Sequence, residues 1–299
     1  GRTRRARSGL TAVGWGDGGD RRDQRRLADG LSMTAKVDIS HELAAQFRLD
    51  GLVAFVPGGY GGIGEALCWG LARSGAVAVI VGRSAQKANA LATAIQDAGL
   101  HAEAIVADAE RIESLRSAVD RTRDQHGRLD LLINCVGIQR EELLADVSEE
   151  KFDEIYRVNL KAAMFVSQAC ARHQVAGGRG GAQVHLLSVR AQLGMRARGY
   201  SAYCATKGAL VMLIKQHAPE LAPHGIRVNG VAPTVVATEM GRHWLDNEVT
   251  RRYLLERIPM GRVAEPKDIV GPVLFLCTPA ASFVTGQVLY VDGGITASQ

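Results

Sequence analysis

At 299 residues, with 46% hydrophobic content, the chain is long enough to bury one sizeable α/β core. Its formal net charge of +5 is concentrated in residues 1–32, where eight arginines face four aspartates; the other 267 residues carry only +1, which excludes the basic groove that nucleic-acid binding needs. No apolar stretch reaches the ~18 residues required to cross a bilayer, and no charged, apolar and small-residue order marks a secretory signal.

Residues 1–32, rich in Gly, Arg and Asp, cannot bury enough surface to offset their ordering entropy and are expected to be a disordered basic extension. Asp17, Asp20, Asp23 and Asp29 argue against a mitochondrial targeting segment. Met33 is the alternative first residue of the native protein, residues 33–47 read as a lead-in, and residues 48–299 as one domain.

From residue 50 onward short Val/Ile/Leu runs alternate with longer helical patterns, the signature of βαβ units and a parallel sheet. Strands are expected at Leu52 to Val56, Val77 to Val81, 102–106 and Leu129 to Ile133, with helices from about Gly62, over 85–98 and over 112–126. A long helix over 150–175 ends in the turn-forming run Gly177-Gly178-Arg179-Gly180-Gly181, and a fifth strand follows at 183–187. The pattern then predicts a helix from Ser201 to Leu221, a strand from Ile226 to Val231, a helix opened by Pro266 and a last strand from Val288 to Val291. Between these, residues 234–262 are mixed in polarity and weakly periodic, as a substrate loop would be.

Two motifs carry chemistry. The run Gly58-Gly59-Tyr60-Gly61-Gly62-Ile63-Gly64 lies between a strand and a helix, where backbone amides and a helix N-terminus can meet a pyrophosphate. Tyr203 and Lys207 are four residues apart and so share a helix face. An ammonium beside a phenol favours its ionised form, and a tyrosine near pKa 10 needs such help to transfer protons at neutral pH. At the end of the second strand, where an acidic residue would hold the ribose of NAD, the sequence has Gly82-Arg83-Ser84. A guanidinium can pair with a 2′-phosphate, so NADP is favoured over NAD. The five cysteines are far apart with no zinc-ligand spacing, and fit a reducing cytoplasm.

These motifs, with Asn134-Cys135-Val136-Gly137, Asn159, Ser188, Pro233, Thr238 and the closing Val291-Asp292-Gly293-Gly294, resemble the short-chain dehydrogenase/reductase family over residues 48–296. The resemblance implies a Rossmann-type, doubly wound parallel sheet of about seven strands with helices on both faces. It also implies a metal-free hydride transfer between NADP or NAD and a secondary alcohol or ketone. By the same resemblance, Tyr203 is the general acid/base, Lys207 lowers its pKa and binds the nicotinamide ribose, Ser188 holds the substrate oxygen and Asn159 holds a water in the proton relay. Gly58, Tyr60, Gly62, Ile63 and Gly64 form the phosphate turn, Arg83 and Ser84 meet the adenosine ribose, and Asp108 meets the adenine. Asn134 and Gly137 line the cleft, and Pro233, Val236 and Thr238 adjoin the carboxamide. A homotetramer or homodimer is implied as well, acting on a small molecule with no nucleic-acid or membrane partner.

The sequence departs from the family pattern in places. Pro57 replaces the usual threonine and removes an amide donor, so a shifted turn with retained binding is expected. Thr234 replaces a glycine. Ser188 precedes the tyrosine by 15 residues, where 13 is common and Arg190 stands, so Ser188 serves only if the intervening loop is two residues longer. Gly137-Ile138-Gln139-Arg140 and Ser188-Val189-Arg190-Ala191 resemble sugar-acid reductases such as gluconate 5-dehydrogenases and 2-deoxygluconate 3-dehydrogenases, in which case Arg140, Arg190, Arg196 or Arg198 could meet a substrate carboxylate. The alternatives are a 3-oxoacyl carrier-protein reductase, which requires an apolar channel and a basic docking surface, and a catalytically silent nucleotide-binding scaffold.

Overall fold

Seven short aliphatic runs become the strands β1 (Val53–Pro57), β2 (Val77–Gly82), β3 (Ala102–Val106), β4 (Leu131–Asn134), β5 (Gly181–Leu186), β6 (Ile226–Pro233) and β7 (Val288–Val291). This computed structural model describes residues 43–196 and 198–298, with the backbone alone for His243. The expectations for residues 1–32, and for the lead-in as far as residue 42, lie outside the described residues.

All seven strands pair in parallel, in the order β3-β2-β1-β4-β5-β6-β7. Every residue of β1 and β4 is buried, because a parallel sheet is covered on both faces and its central strands have no polar side. The covering helices are α1 (Gly62–Arg73), α2 (Ala85–Asp97), α3 (Ile112–His126), α4 (Glu149–Tyr156), α5 (Ala162–Gly177), α6 (Ser201–Leu221), α7 (Glu239–Leu245), α8 (Glu248–Arg257) and α9 (Pro266–Cys277).

Strand alternation sorts the core into two layers. Ala54, Val56, Ala78 and Ile80 pack with Leu67 and Leu71 of α1, Ile95 of α2 and Ile269 and Val273 of α9. Val53, Phe55, Val79 and Val81 point the other way, onto Leu115 and Val119 of α3 and Val166 and Cys170 of α5, while α6 packs beside them through Leu210 and Ile214 against Val228 and Ala232 of β6. The chain order reverses between β1 and β4, and at such a switch point a crevice opens outside the carboxyl ends of the strands.

Strand limits fall within two residues of those read from the sequence. The helix expected over 150–175 differs: between α4 and α5 the residues Arg157–Lys161 form a π-helical turn. The amide of Asn159 holds both polar groups of Ile138, accepting from its N–H at 2.8 Å and donating to its carbonyl at 2.9 Å. A widened turn of this kind is common where a helix presents a functional side chain. The weakly periodic stretch 234–262 contains α7 and α8, and α8 buries only Leu254, which is why no apolar stripe was legible there.

Candidate active site

Site construction begins at the turn after β1. Proline at 57 leaves its own carbonyl available, which accepts the Cys135 N–H at 2.9 Å, while the Gly58 N–H donates to Val81 O at 2.8 Å. The chain then reverses through Gly58 at φ +78°. A Cβ on Gly64 would lie 2.2 Å from the Gly58 carbonyl oxygen, and one on Gly62 would lie 2.7 Å from the Thr238 methyl. Glycine is therefore required at both positions, and the close approach leaves the start of α1 bare. Its N-cap, Gly61, supplies no side-chain cap to the first-turn amides. Uncapped N–H groups at a helix N-terminus, reached through a glycine cradle, fit the pyrophosphate of a dinucleotide.

At the end of β2, Tyr60 folds over Gly82, where a Cβ would meet its ring at 2.2 Å. Its hydroxyl accepts the Ser84 N–H at 3.0 Å, and the Ser84 hydroxyl caps α2 by accepting from Lys87 N at 3.3 Å. Arg83 is mostly exposed and paired to Glu110 by one contact of 3.3 Å. After β3, Asp108 accepts the Glu110 N–H at 3.1 Å. Tyr60, Arg83, Ser84 and Asp108 thus gather at one end of the crevice.

The other end holds Tyr203, Lys207 and Asn159. Tyr203 is in the first turn of α6 and Lys207 one turn on, with Lys207 Nζ 5.7 Å from the Tyr203 ring centre. Lys207 is buried and donates to Leu186 O at 2.8 Å. Burial holds its ammonium down to a pKa of about 8. Burial also pushes the Tyr203 phenol up to about 12, opposed by hydrogen bonding with Ser188 and, more weakly, by the charge of Arg190. The phenol is therefore protonated at neutral pH, the form that donates a proton to a carbonyl. Asn159 donates to Thr206 Oγ1 at 3.3 Å, tying the π-helical turn to α6. Gly137 sits between these groups: a Cβ there would be 3.5 Å from Lys207 Nζ and 3.7 Å from Asn159 Oδ1. Asn134 is buried beside it, accepting from Val136 N at 3.2 Å and donating to His185 Nδ1 at 3.3 Å.

Ile63, Ser188, Tyr203, Pro233, Val236 and Thr238 line one cavity of about 150 Å³. That is below the ~300 Å³ at which drug-sized ligands are buried, so a small substrate suits it. Ser188 and Arg190 both line this cavity beside Tyr203, with the short 3₁₀ turn Val189–Ala191 starting directly after Ser188. Of the four arginines singled out in the sequence, Arg140 is paired to Glu154 at 2.7 Å and Arg198 to Glu141 at 2.9 Å. Arg196 is exposed. Arg190 alone lines the cavity.

Sequence reasoning missed the cavity's aromatic wall. Tyr200 meets Tyr203 edge-on with ring centres 5.9 Å apart and Trp244 edge-on at 5.7 Å. The three-residue spacing of Tyr200 and Tyr203, which puts them on neighbouring positions of one helical face, was the available signal for the first. Trp244 and Met240 come from α7, which had no readable period.

A glycine turn at the switch point of a parallel sheet, with Ser188, Tyr203 and buried Lys207 gathered at the same crevice, defines a nicotinamide-dependent oxidoreductase. The family model described as "Enoyl-(Acyl carrier protein) reductase" matches residues 59–296. Gluconate 5-dehydrogenase from Gluconobacter oxydans is 39% identical over 252 residues, 84% of this chain and 97% of that protein. L-xylulose reductase from Mesocricetus auratus is 39% identical over 248 residues, 82% of this chain and 97% of that one. Among solved structures, a gluconate 5-dehydrogenase from Burkholderia cenocepacia in complex with NADP and tartrate is 37% identical, with a TM-score of 0.83 over 86% of this chain and 100% of that one. The chain belongs to the short-chain dehydrogenase/reductase family, and it is an NAD(P)-dependent oxidoreductase acting on a secondary alcohol or ketone.

Proposed function

We propose that the chain interconverts the ketone and alcohol of a sugar acid or polyol, with NADP preferred to NAD and Tyr203 as the proton-transferring group. The observation that carries this reading is that Ser188 and Tyr203 share the wall of one small cavity, with buried Lys207 and Asn159 both flanking Gly137. When bound, the cofactor supplies or accepts the hydride. Ser188 holds the carbonyl oxygen, Tyr203 gives it a proton, and Lys207 holds the nicotinamide ribose. Asn159, fixed by both polar groups of Ile138, orders the water that restores the proton. The relatives support the substrate class, being a gluconate 5-dehydrogenase and an L-xylulose reductase, and the Burkholderia gluconate 5-dehydrogenase structure carries NADP with tartrate. A catalytically silent scaffold would not be expected to keep Tyr203 on the cavity wall with Lys207 buried one turn behind it. A 3-oxoacyl reductase would not be expected to have a charged cavity wall.

Lys207 gives a pH prediction. Its ammonium, held near pKa 8 in the folded chain, is charged below that pH and lost above it. kcat/KM for the cofactor reports the free enzyme, so it should be level below about pH 8 and fall about tenfold per unit above it. A profile level to pH 10 would show that the ammonium does not hold the ribose.

Arg83 sets the cofactor preference. Its single long contact with Glu110 leaves the guanidinium able to turn to a 2′-phosphate. Arg83→Ala should reduce the NADPH-over-NADH ratio of kcat/KM by roughly 10- to 100-fold, the range of a charge-assisted hydrogen bond. An unchanged ratio would contradict the assignment.

In the same reading the protein acts in the cytoplasm as a homotetramer or homodimer, with no nucleic-acid or membrane partner. Met164 and Val175 of α5 and Met212 of α6 are exposed apolar residues on the outer helical layer, and Phe283 and Leu289 lie exposed at the β7 edge, where a second copy would cover them. Among the described residues no helix is long and apolar enough to cross a membrane. The deciding experiment is a panel of sugar acids, polyols and 3-oxoacyl thioesters assayed with both cofactors by nicotinamide absorbance. Turnover of the thioesters alone would refute the substrate class.

A further inference from the structure

Arg190 is the one charged residue lining the cavity, and no carboxylate among the described residues lies within ion-pair distance of it. Its guanidinium is fixed at one end: Nη1 donates to Leu193 O at 3.2 Å and to Gly194 O at 2.7 Å. The Nε–Nη2 edge has no protein acceptor among the described residues. Burial disfavours the charged form, as does the nearby charge of Arg257, so a cation without a counter-anion stands at the wall that also carries Ser188 and Tyr203. The same wall holds two buried orphans: Gln139 Nε2 and Thr234 Oγ1 have no hydrogen-bond partner. Unpartnered buried donors are costly in a folded protein and call for an acceptor that arrives with a ligand.

Resting on the substrate class argued above, we propose that Arg190 binds the carboxylate of the substrate through its Nε–Nη2 edge, with Gln139 and Thr234 hydrogen-bonding hydroxyls along its carbon chain. A planar two-donor edge matches a carboxylate in bidentate geometry. A sugar acid supplies what this wall lacks, one anion and several acceptors, whereas a neutral polyol leaves the guanidinium uncompensated and a 3-oxoacyl chain leaves all three groups unpaired. The anchor determines specificity by favouring the acid over its neutral counterpart; it takes no part in proton transfer.

The test compares wild type with Arg190→Met and Arg190→Lys on two ketones, 5-keto-D-gluconate and the neutral ketose L-xylulose, with NADPH. Melting temperature and NADPH affinity serve as checks that each variant folds. The wild type should favour the acid. Arg190→Met should lower the acid-to-ketose ratio of kcat/KM by about 10- to 100-fold, mostly through KM for the acid, and Arg190→Lys should restore part of it. A folded Arg190→Met variant that keeps the wild-type ratio, or loses both substrates equally, overturns the anchor while leaving the sugar-acid reading standing. A wild type that favours the ketose overturns both. Gln139→Leu supplies a second variant: it should raise KM for both substrates, and an unchanged KM would remove Gln139 from the proposal.

Discussion

Tyr203→Phe is expected to lower kcat by roughly 10²- to 10⁴-fold, the contribution typical of a positioned general acid, while the dissociation constant for NADPH stays within about twofold. The substitution removes one oxygen and leaves the ring edge-packed against Tyr200, so the aromatic wall survives. The Ser188 hydroxyl keeps the Arg190 N–H at 3.2 Å. No other group on the cavity wall can replace the lost proton donor: the Tyr200 hydroxyl is committed to Glu141 at 3.3 Å, and its phenol is held far above its ordinary pKa by burial and by that carboxylate. Initial rates with NADPH and a keto acid, beside a cofactor titration, check this; residual turnover within tenfold of wild type would remove Tyr203 from its role.

Gly64→Ala is expected to raise the dissociation constant for NADPH at least tenfold and to destabilise the chain by about 1–3 kcal/mol, the usual range for overpacking. The added Cβ would fall 2.2 Å from the Gly58 carbonyl oxygen and 3.0 Å from the Gly59 Cα. Those are backbone atoms, so no side-chain rotation relieves the clash and the turn itself must open. Opening it moves the first-turn amides of α1 away from the pyrophosphate. Gly271→Ala in α9 is the control: its Cβ would meet nothing within 4 Å, and alanine in a helix gains about 1 kcal/mol over glycine. Equal NADPH affinity in wild type, Gly64→Ala and Gly271→Ala would show that the cradle does not hold the cofactor.

Much of this was legible in the sequence because each signal had a local cause. The strands of a parallel sheet are buried on both faces, so 53–57 and 131–133 read as unbroken apolar runs. The glycine turn and the Tyr203/Lys207 spacing are encoded in contiguous residues. What escaped was set by contacts between distant segments. The π-helical turn at Asn159 comes from its double bond to Ile138, 21 residues earlier, and no periodicity announces it. Four arginines near the site looked equivalent; Glu154 and Glu141 decided between them by pairing with Arg140 and Arg198 and leaving Arg190 at the cavity. The balance of charges at Tyr203 was also hidden. Proximity to Lys207 suggested an acidified phenol, yet one Lys207 N–H is turned to Leu186 O and burial carries the phenol upward. Trp244 lies on a seven-residue helix too short to show a period.

The central claim is a hydride transfer at the cavity wall shared by Ser188 and Tyr203. It is tested most directly by incubating the protein with NADPH deuterated at the transferring carbon and 5-keto-D-gluconate, then locating the label by NMR. The account predicts deuterium on the new carbinol carbon of the product, in one configuration, with wild type and not with Tyr203→Phe. Product formed without the label, or label transfer undiminished in Tyr203→Phe, would contradict it.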